Sequence, residues 1–151
     1  MEITWFHCER EPEGYAAVEK WISTRIFGKP AKFGLGNAMA VTKDGSPIAG
    51  VVFYDHDKDA GVIQFSAASD SKRWLTKPVL WAMFSYAFDQ LGCQAIIGRN
   101  DPDNEALLRQ QRAYGFKEYF IPRLRGRDKG EVLVVLHDDA WRKNGFHKEH
   151  D

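Results

Sequence analysis

Residues 38–68 read AMAVTKDGSPIAGVVFYDHDKDAGVIQFSAA and carry the strongest signal for how this chain folds. Two β-compatible runs, Ala38–Lys43 and Ile48–Tyr54, flank the turn residues Asp44–Pro47. An Asp-Gly pair between two such runs is the most characteristic short-range signal for a β-hairpin. A third run, Gly61–Ala68, follows a second polar turn. The segment therefore predicts three antiparallel strands in a meander.

The pattern changes from strand to helix after the meander. Pro78–Leu91 carries apolar residues at helical spacing, and its predicted buried face contains Leu80, Phe84, Ala87 and Leu91. Thr76 is a suitable N-cap and Gly92 a suitable C-terminal cap. A short strand at Gln94–Gly98 completes a strand–helix–strand unit, which requires a crossover and a parallel strand pair.

The rest of the chain supplies the outer elements. They are a strand at Glu2–His7, a helix at Glu11–Phe27, a loop at Gly28–Gly36, a helix at Asn104–Ala113 capped by Asp101 or Asp103 and ended by Gly115, and strands at Phe116–Ile121 and Glu131–His137. The predicted fold class is α/β (α+β), with a mixed, mostly antiparallel sheet of six to seven strands and helices on both faces. We expect one domain over residues 1–143 and a polar tail over residues 144–151.

Composition restricts the classes of function. The chain has 151 residues, 44% of them hydrophobic and 28% charged, which is typical of a single globular domain. Lys plus Arg equals Asp plus Glu at 21 each, so the overall charge provides no attraction to nucleic acid or to anionic membranes. The basic residues Arg123, Arg125, Arg127 and Lys129 form a local cluster, which is most simply a solvated loop. A nucleic-acid partner is therefore not expected.

Cysteine and histidine usage indicates no special chemistry. Cys8 and Cys93 are far apart and form no Cys-x-x-Cys motif, so we expect reduced thiols and a cytoplasmic protein. The start of the chain lacks the pattern of a signal peptide. The longest apolar stretch, Val79–Phe88, is much shorter than the ~20 residues that span a bilayer. The histidines show no metal-ligand spacing, so no metal site is expected.

Three stretches at matching intervals carry a resemblance to a known family. They are the hairpin Asp44–Tyr54, the end of the central helix at Phe84–Gly92, and Asn104–Phe116, where an Asn precedes a Gly-Phe pair by one helix length. This arrangement resembles the GCN5-related N-acetyltransferase (GNAT) superfamily, and especially its ribosomal-protein branch. The resemblance covers roughly Trp5 to Trp141. It implies transfer of acetyl from acetyl-CoA to a primary amine of an unidentified small molecule or protein.

The resemblance also implies where acetyl-CoA binds. In the family the fourth strand diverges from the fifth, and the pantetheine arm lies between them. The matching residues here are Ser66, Ala67 and Ala68, whose backbone would pair with the cofactor amides like an added strand. Without the resemblance, these small residues would be interpreted simply as the end of a strand.

The family binds the pyrophosphate with a glycine-containing loop at the start of the central helix. The matching residues here are Arg73, Trp74, Leu75, Thr76 and Lys77. Arg73 fits the family pattern, but Thr76 replaces its first glycine and Pro78 its second small residue. Because Pro78 has no N–H, one charge-assisted hydrogen bond worth about 1.5–3 kcal/mol is lost if the family uses that amide. The alternative is a solvated turn before an ordinary capped helix.

The resemblance leaves the catalytic residues unassigned. Asn104 matches a family residue that contacts the pantetheine, although capping of a helix explains it as well. Many family members use a tyrosine on this helix as the general acid, and the corresponding residue here is Gln111. We interpret the nearby Tyr114 as a packing residue. Asp101 could act as a base or as a cap. The alternative function is therefore a catalytically inactive GNAT-fold binding or structural module.

Two loops and the assembly state complete the expectations. Gly28–Asn37 and Phe120–Lys129 are the loops that we expect to frame the acceptor site. A homodimer is compatible with the sequence, and no membrane partner is expected.

Overall fold

A computed structural model describes residues 1–144, which form a seven-stranded sheet with helices on both faces. The strands are β1 (Glu2–His7), β2 (Gly36–Lys43), β3 (Ser46–Asp57), β4 (Val62–Ser69), β5 (Ala95–Asn100), β6 (Lys117–Ile121) and β7 (Glu131–His137). The helices are α1 (Pro12–Phe27), α2 (Lys77–Ser85), α3 (Glu105–Tyr114) and α4 (Asp138–Lys143). The strand order is β1-β2-β3-β4-β5-β7-β6, and only the β4–β5 pair is parallel. The predicted fold class is confirmed.

The predicted hairpin forms around a two-residue turn. Lys43 pairs with Ser46, and the residues between them have positive φ, 53° at Asp44 and 81° at Gly45. Asp and Gly tolerate this left-handed backbone better than other residues, and such turns match the twist of the flanking strands. The local sequence is therefore sufficient to set the start of the meander.

Each face of the sheet has its own apolar core. On one face, α1 packs on β1 to β4 through Val18 and Ile22, which lie against Ala38 and Val52. The opposite face carries the larger core, to which α2, α3 and α4 all contribute buried side chains. Helices therefore cover both faces of the sheet, and residues 49–53 of the central strand β3 are all buried, as expected for a strand covered on both sides.

The central helix differs from its prediction in its second half. After α2 the chain makes one π-helical turn at Tyr86–Gln90, in which the Leu91 N–H donates to the Tyr86 carbonyl at 3.0 Å. Phe84 and Ala87 of the predicted apolar face are buried, and Leu80 and Leu91 are partly buried and pack against the larger core. Phe88, outside the predicted face, is also buried. The buried residues of this segment are Val79, Met83, Phe84, Ser85, Ala87 and Phe88.

The other corrections concern caps and the last helix. Asn104, rather than Asp101 or Asp103, is the N-cap of α3. The short helix α4 was not predicted because six residues are too few to show a helical period. Its acidic first turn and basic last turn, which suit the helix dipole, were the signals available in the sequence. Asn144, the first residue of the predicted tail, is the C-cap of α4. The rest of that tail, residues 145–151, lies outside the described residues.

Candidate active site

Strands β4 and β5 pair over a short length and then diverge. Their last register pair is Gln64 with Ile97. Beyond it β4 stays paired with β3 as far as Ser69, and β5 stays paired with β7 as far as Asn100. One backbone edge of β4 from Phe65 onward therefore has no strand partner, and we call the opening between the two strands the β4–β5 cleft.

An aromatic ring fills the point at which the strands part. Phe65 is 8% exposed, and its ring centroid lies 6.4 Å from that of Phe84 and 6.1 Å from that of Phe116. A Cβ added at Gly98 would lie 3.0 Å from Cε1 of Phe65 and 3.1 Å from Cγ2 of Val134. The absence of a side chain at Gly98 thus allows the ring to lie across β5.

Small side chains line the open edge of β4. Ser66, Ala67 and Ala68 all lie beyond the last β4–β5 pair and are partly buried. An exposed strand edge offers unpaired N–H and C=O groups to an extended ligand, and small side chains allow close approach of its backbone. The three residues predicted to bind the cofactor on this strand therefore lie side by side along the cleft.

The loop after β4 is anchored to the sheet and to α1. The Asp70 N–H donates to the Ile48 carbonyl at 2.8 Å. Arg25 donates to both carboxylate oxygens of Asp70, from Nε at 2.8 Å and from Nη2 at 2.9 Å. This hydrogen-bonded pairing lowers the pKa of Asp70 below its ordinary value. The guanidinium carbon of Arg25 also lies 3.5 Å from the ring centroid of Trp21, so the start of the loop is held at two points.

Short-range hydrogen bonds shape the rest of this loop. Ser69 and Ser71 bond to each other, and Ser71 Oγ accepts the Arg73 N–H at 3.2 Å. The Thr76 N–H donates to the Trp74 carbonyl at 2.9 Å. Trp74 and the adjacent Leu75 pack against the larger core. Arg73 is exposed and forms no ion pair with any residue in 1–144.

The start of α2 offers few amides to an anion. Thr76 is its N-cap, as predicted, and Thr76 Oγ1 accepts the Val79 N–H at 3.4 Å. Pro78 in this first turn has no N–H to donate. An anion bound here would therefore depend on the exposed cationic side chains of Lys72 and Arg73 more than on the helix amides.

The residues around α3 show one predicted and one unpredicted polar group. Asn104 is exposed, and its Oδ1 accepts the Leu107 N–H at 3.4 Å, which is ordinary N-capping. Asn100, at the end of β5, is 9% exposed and donates its amide to Gln111 Oε1. Sequence reasoning missed Asn100, although a polar residue ending an apolar strand was a usable signal. Tyr114 is buried, as its interpretation as a packing residue requires, and burial raises its pKa to about 12.

A pair of hydroxyl groups lies on the α1 side of the sheet beside the cleft. The Tyr54 hydroxyl and Ser66 Oγ are 2.9 Å apart and share a hydrogen bond. Burial raises the pKa of Tyr54, and the bond to Ser66 opposes that shift. The ring of Phe33, in the loop after α1, lies 5.1 Å from the Tyr54 ring. Tyr15 holds the same loop by donating its hydroxyl to the Gly34 carbonyl at 2.6 Å.

A buried carboxylate connects β5 to the loop between β6 and β7. Glu131 is 3% exposed, and its two carboxylate oxygens accept Nε of Arg99 at 2.6 Å and Nε of Arg125 at 2.8 Å. In the same loop Lys129 pairs with Asp101 at 2.8 Å. Ion pairs therefore engage two of the four residues in the predicted basic cluster. Sequence reasoning missed Arg99 and Glu131 because 32 residues separate them.

Comparisons with known proteins find relatives by structure only. No family profile and no curated protein matches the sequence. A chimera of the spermidine N-acetyltransferase SpeG from Vibrio cholerae and hSSAT has a TM-score of 0.72 at 11% identity, over 95% of this chain and 100% of the other. YncA from Salmonella typhimurium, a candidate acetyltransferase solved with acetyl-CoA, has a TM-score of 0.66 at 13% identity, over 91% and 94%.

Another neighbour is longer than this chain. A candidate acetyltransferase from T. thermophilus has a TM-score of 0.62 at 14% identity over 81% of this chain, which spans 66% of that protein. At such identities the likeness is one of architecture. This architecture includes the seven-stranded mixed sheet and helices on both of its faces. The chain therefore has the fold of the GCN5-related N-acetyltransferases.

Proposed function

We propose that this protein is an acetyl-CoA-dependent N-acetyltransferase that acts on a primary amine. The observation that carries the proposal is the β4–β5 cleft, where β4 continues five residues past its last pair with β5, from Phe65 to Ser69. An unpaired strand edge that opens beside a helix start is suited to an extended ligand with amides at one end and phosphates at the other. The structural neighbour solved with acetyl-CoA supports this choice of ligand.

Different residues along the cleft would bind different parts of acetyl-CoA. Ser66, Ala67 and Ala68 would pair with the pantetheine amides, and Asn104 would assist from the start of α3 through its amide, since its Oδ1 is used in capping. Acetyl-CoA supplies an activated acetyl group: the amine nitrogen bonds to the acetyl carbon, the carbon–sulfur bond breaks, and one amine proton ends on the sulfur. The protein must therefore orient the amine and accept or relay that proton.

The phosphate end is where this chain departs from the family pattern. Arg73, Trp74, Leu75, Thr76 and Lys77 lead from β4 into α2, so they are positioned to surround a pyrophosphate. Thr76 already engages the Val79 amide, and Pro78 removes another. We therefore expect Arg73 and Lys72 to supply most of the attraction, and affinity to be weaker than a glycine loop would give.

Three hydroxyl or carboxyl groups near the cleft differ in how well they suit proton transfer. Asp101 is a poor base because its bond to Lys129 and the Asp103 amide lower its pKa. Tyr114 is packed in the core against Phe84, with 5.1 Å between ring centroids. The Tyr54–Ser66 pair is the hydroxyl pair beside the cleft, which suits a relay through water.

The second candidate is a catalytically inactive binding module with the same fold. The start of α2 favours it, because Pro78 has no N–H and the Thr76 and Val79 amides already have hydrogen-bond acceptors. Under this alternative the cleft would have no measurable affinity for acetyl-CoA.

The acceptor is proposed from the structural neighbours and the family resemblance, and the compartment from the cysteines. The structural neighbour SpeG is named as a spermidine N-acetyltransferase, which favours a polyamine acceptor. The resemblance to the ribosomal-protein branch instead favours an amine on a protein. Cys8 and Cys93 are both free thiols, which supports a reducing compartment and hence the cytoplasm.

Calorimetric titration with acetyl-CoA tests the proposal. We expect micromolar binding by the wild type and at least about tenfold weaker binding by Arg73→Ala, which loses a charge-assisted contact to phosphate. Pro78→Ala restores an amide and should tighten binding by a similar factor. Lys43→Ala, at the exposed hairpin turn, is the matched charge control and should bind like the wild type. A folded wild type that shows no heat at ~1 mM acetyl-CoA would favour the inactive module.

A further inference from the structure

Arg99 and Arg125 each use only part of their hydrogen-bonding capacity. Both donate through Nε to the buried carboxylate of Glu131, at 2.6 Å and 2.8 Å. Within residues 1–144 their Nη groups have no hydrogen-bond partner. The two side chains are 48% and 32% exposed, so these Nη groups are accessible from solvent.

Glu131 fixes the two guanidinium groups in place. Its side chain is only 4% exposed, and a buried carboxylate requires paired cations. Two arginines against one glutamate leave one unbalanced positive charge. Because a guanidinium is planar, fixing its Nε also fixes the plane in which its Nη groups can donate, which favours bidentate binding of a carboxylate.

The loop that carries Arg125 is itself ordered by main-chain hydrogen bonds. The Arg125 N–H donates to the Lys129 carbonyl at 3.0 Å, and the Lys129 N–H returns to the Gly126 carbonyl at 3.4 Å. Arg123 and Arg127 in the same loop are exposed, as is Asp128, and Asp101 lies near enough to Arg125 to interact with it electrostatically. Asp55 on β3 is an exposed carboxylate of opposing charge, and it accepts a hydrogen bond from Gln64 at 3.2 Å.

The pair lies beside the cleft on the α1 side of the sheet. Gln64 and Ile97 form the last β4–β5 pair, and Ser66 and Arg99 follow each of them by two residues. Side chains two residues apart point to the same face, so Ser66 and Arg99 lie on the same face of the sheet, one on each side of the opening. Gly98 faces the opposite, larger core, which agrees with this assignment.

We propose that Arg99 and Arg125 bind a carboxylate on the acceptor, so that the enzyme acetylates amines of the amino-acid type rather than polyamines. This inference rests on the proposed function, since it assigns the acceptor of the same cleft. The amine would lie toward Ser66 and Tyr54, with its carboxylate held by the free Nη groups. A polyamine has no carboxylate to accept hydrogen bonds from these Nη groups and would not benefit from the pair.

Matched acceptors test this preference. Glycine and glycinamide share the reacting carbon skeleton and differ in the carboxylate, which also makes the glycine amine the stronger base, and spermidine supplies the polycationic arm. With acetyl-CoA and thiol release as the readout, and with rates referred to the unprotonated amine, we expect kcat/KM for glycine to exceed that for glycinamide by at least about tenfold, as the loss of one charge-assisted contact predicts. Arg99→Gln should raise KM for glycine until the ratio of kcat/KM between glycine and glycinamide is about one, while acetyl-CoA affinity stays unchanged.

Two further variants separate binding from folding. Glu131→Gln replaces one of the two accepting oxygens by an NH2 donor, so one guanidinium loses its fixed position and the preference for glycine should fall. Lys43→Gln removes a distant exposed charge and should change nothing. If Arg99→Gln is unfolded, Arg99→Lys keeps the charge without the planar fork and should lose most of the preference.

A direct binding measurement keeps the inference testable without turnover. Adding N-acetylglycine to the wild type should shift the Nε–H resonances of Arg99 and Arg125 in NMR spectra with saturation, and N-acetylglycinamide should not. Absence of a saturable shift at tens of millimolar, or equal kcat/KM for the unprotonated amines of glycine and glycinamide, would overturn the inference while leaving acetyl transfer intact. Weaker acetyl-CoA binding by Arg99→Gln would also overturn it, because the pair would then bind cofactor phosphate. Failure of the wild type to bind acetyl-CoA would instead refute the proposed function, and the NMR result would still decide whether the anion site exists.

Discussion

Gly98→Ala should disturb the point at which β4 and β5 part. The new Cβ would lie 3.0 Å and 3.2 Å from two ring carbons of Phe65 and 3.1 Å from Cγ2 of Val134, whereas ordinary contacts begin near 3.4 Å. The ring must therefore move by several tenths of an ångström. It is confined on its other side by Phe84 and Phe116, whose ring centroids lie 6.4 Å and 6.1 Å away.

Overpacking of this kind typically destabilises a core by about 1–3 kcal/mol. For a domain of this size each kcal/mol lowers the melting temperature by about 2–4 °C. We expect urea denaturation of Gly98→Ala to show a lower midpoint with an unchanged m value, because the extent of unfolding is the same. The substitution needs no assumption about the function of the cleft.

A double-mutant cycle with Phe65→Leu tests the proposed cause. The smaller leucine makes room for the methyl group, so the two substitutions together should cost less than the sum of their separate effects, by at least about 0.5 kcal/mol. Strict additivity would refute the reasoning, because the contact with Phe65 would then not be the source of strain. A change in stability below about 0.5 kcal/mol for Gly98→Ala alone would refute it equally, since that is the scatter of neutral surface substitutions.

Two other predictions concern the polar groups at the ends of the strands. Asn104→Ala should destabilise the protein by about 0.5–2 kcal/mol in urea denaturation, because the N-cap of α3 is lost. Asn104→Ser keeps a capping oxygen and should retain stability. If the serine variant nevertheless binds acetyl-CoA more weakly, Asn104 contacts the cofactor directly. Because Arg25 holds the folded-state pKa of Asp70 below its ordinary value of 3.8, the pair stabilises the fold above about pH 4, and this contribution is lost as pH falls through the lowered pKa. Asp70→Asn should therefore make the urea midpoint less dependent on pH between about pH 5 and pH 3 than in the wild type, and an unchanged pH profile would contradict this assignment.

The elements that local sequence could predict are those whose signals lie within a few residues of one another. The hairpin at Asp44 and Gly45 follows from two residues that accept positive φ, and α2 begins where Thr76 can cap it. The π-helical turn after Ser85 was not predictable in this way. No local propensity distinguishes it from a continued α-helix, and it is recognised by the hydrogen bond from the Leu91 N–H to the Tyr86 carbonyl.

For the candidate site as well, some features could be predicted from the sequence and others depend on the tertiary structure. The sequence by itself determined the order of the seven strands and of α1, α2 and α3, because their signals lie close together along the chain. The loop from Arg73 to Lys77 and the small residues after Phe65 were assigned to a cofactor only through the family resemblance. Only the tertiary structure decided that β4 parts from β5 after Gln64, and that Arg99 meets Arg125 across Glu131. Both depend on the antiparallel pairing of β5 with β7, a contact between distant segments whose register is set by burial on both faces of the completed sheet.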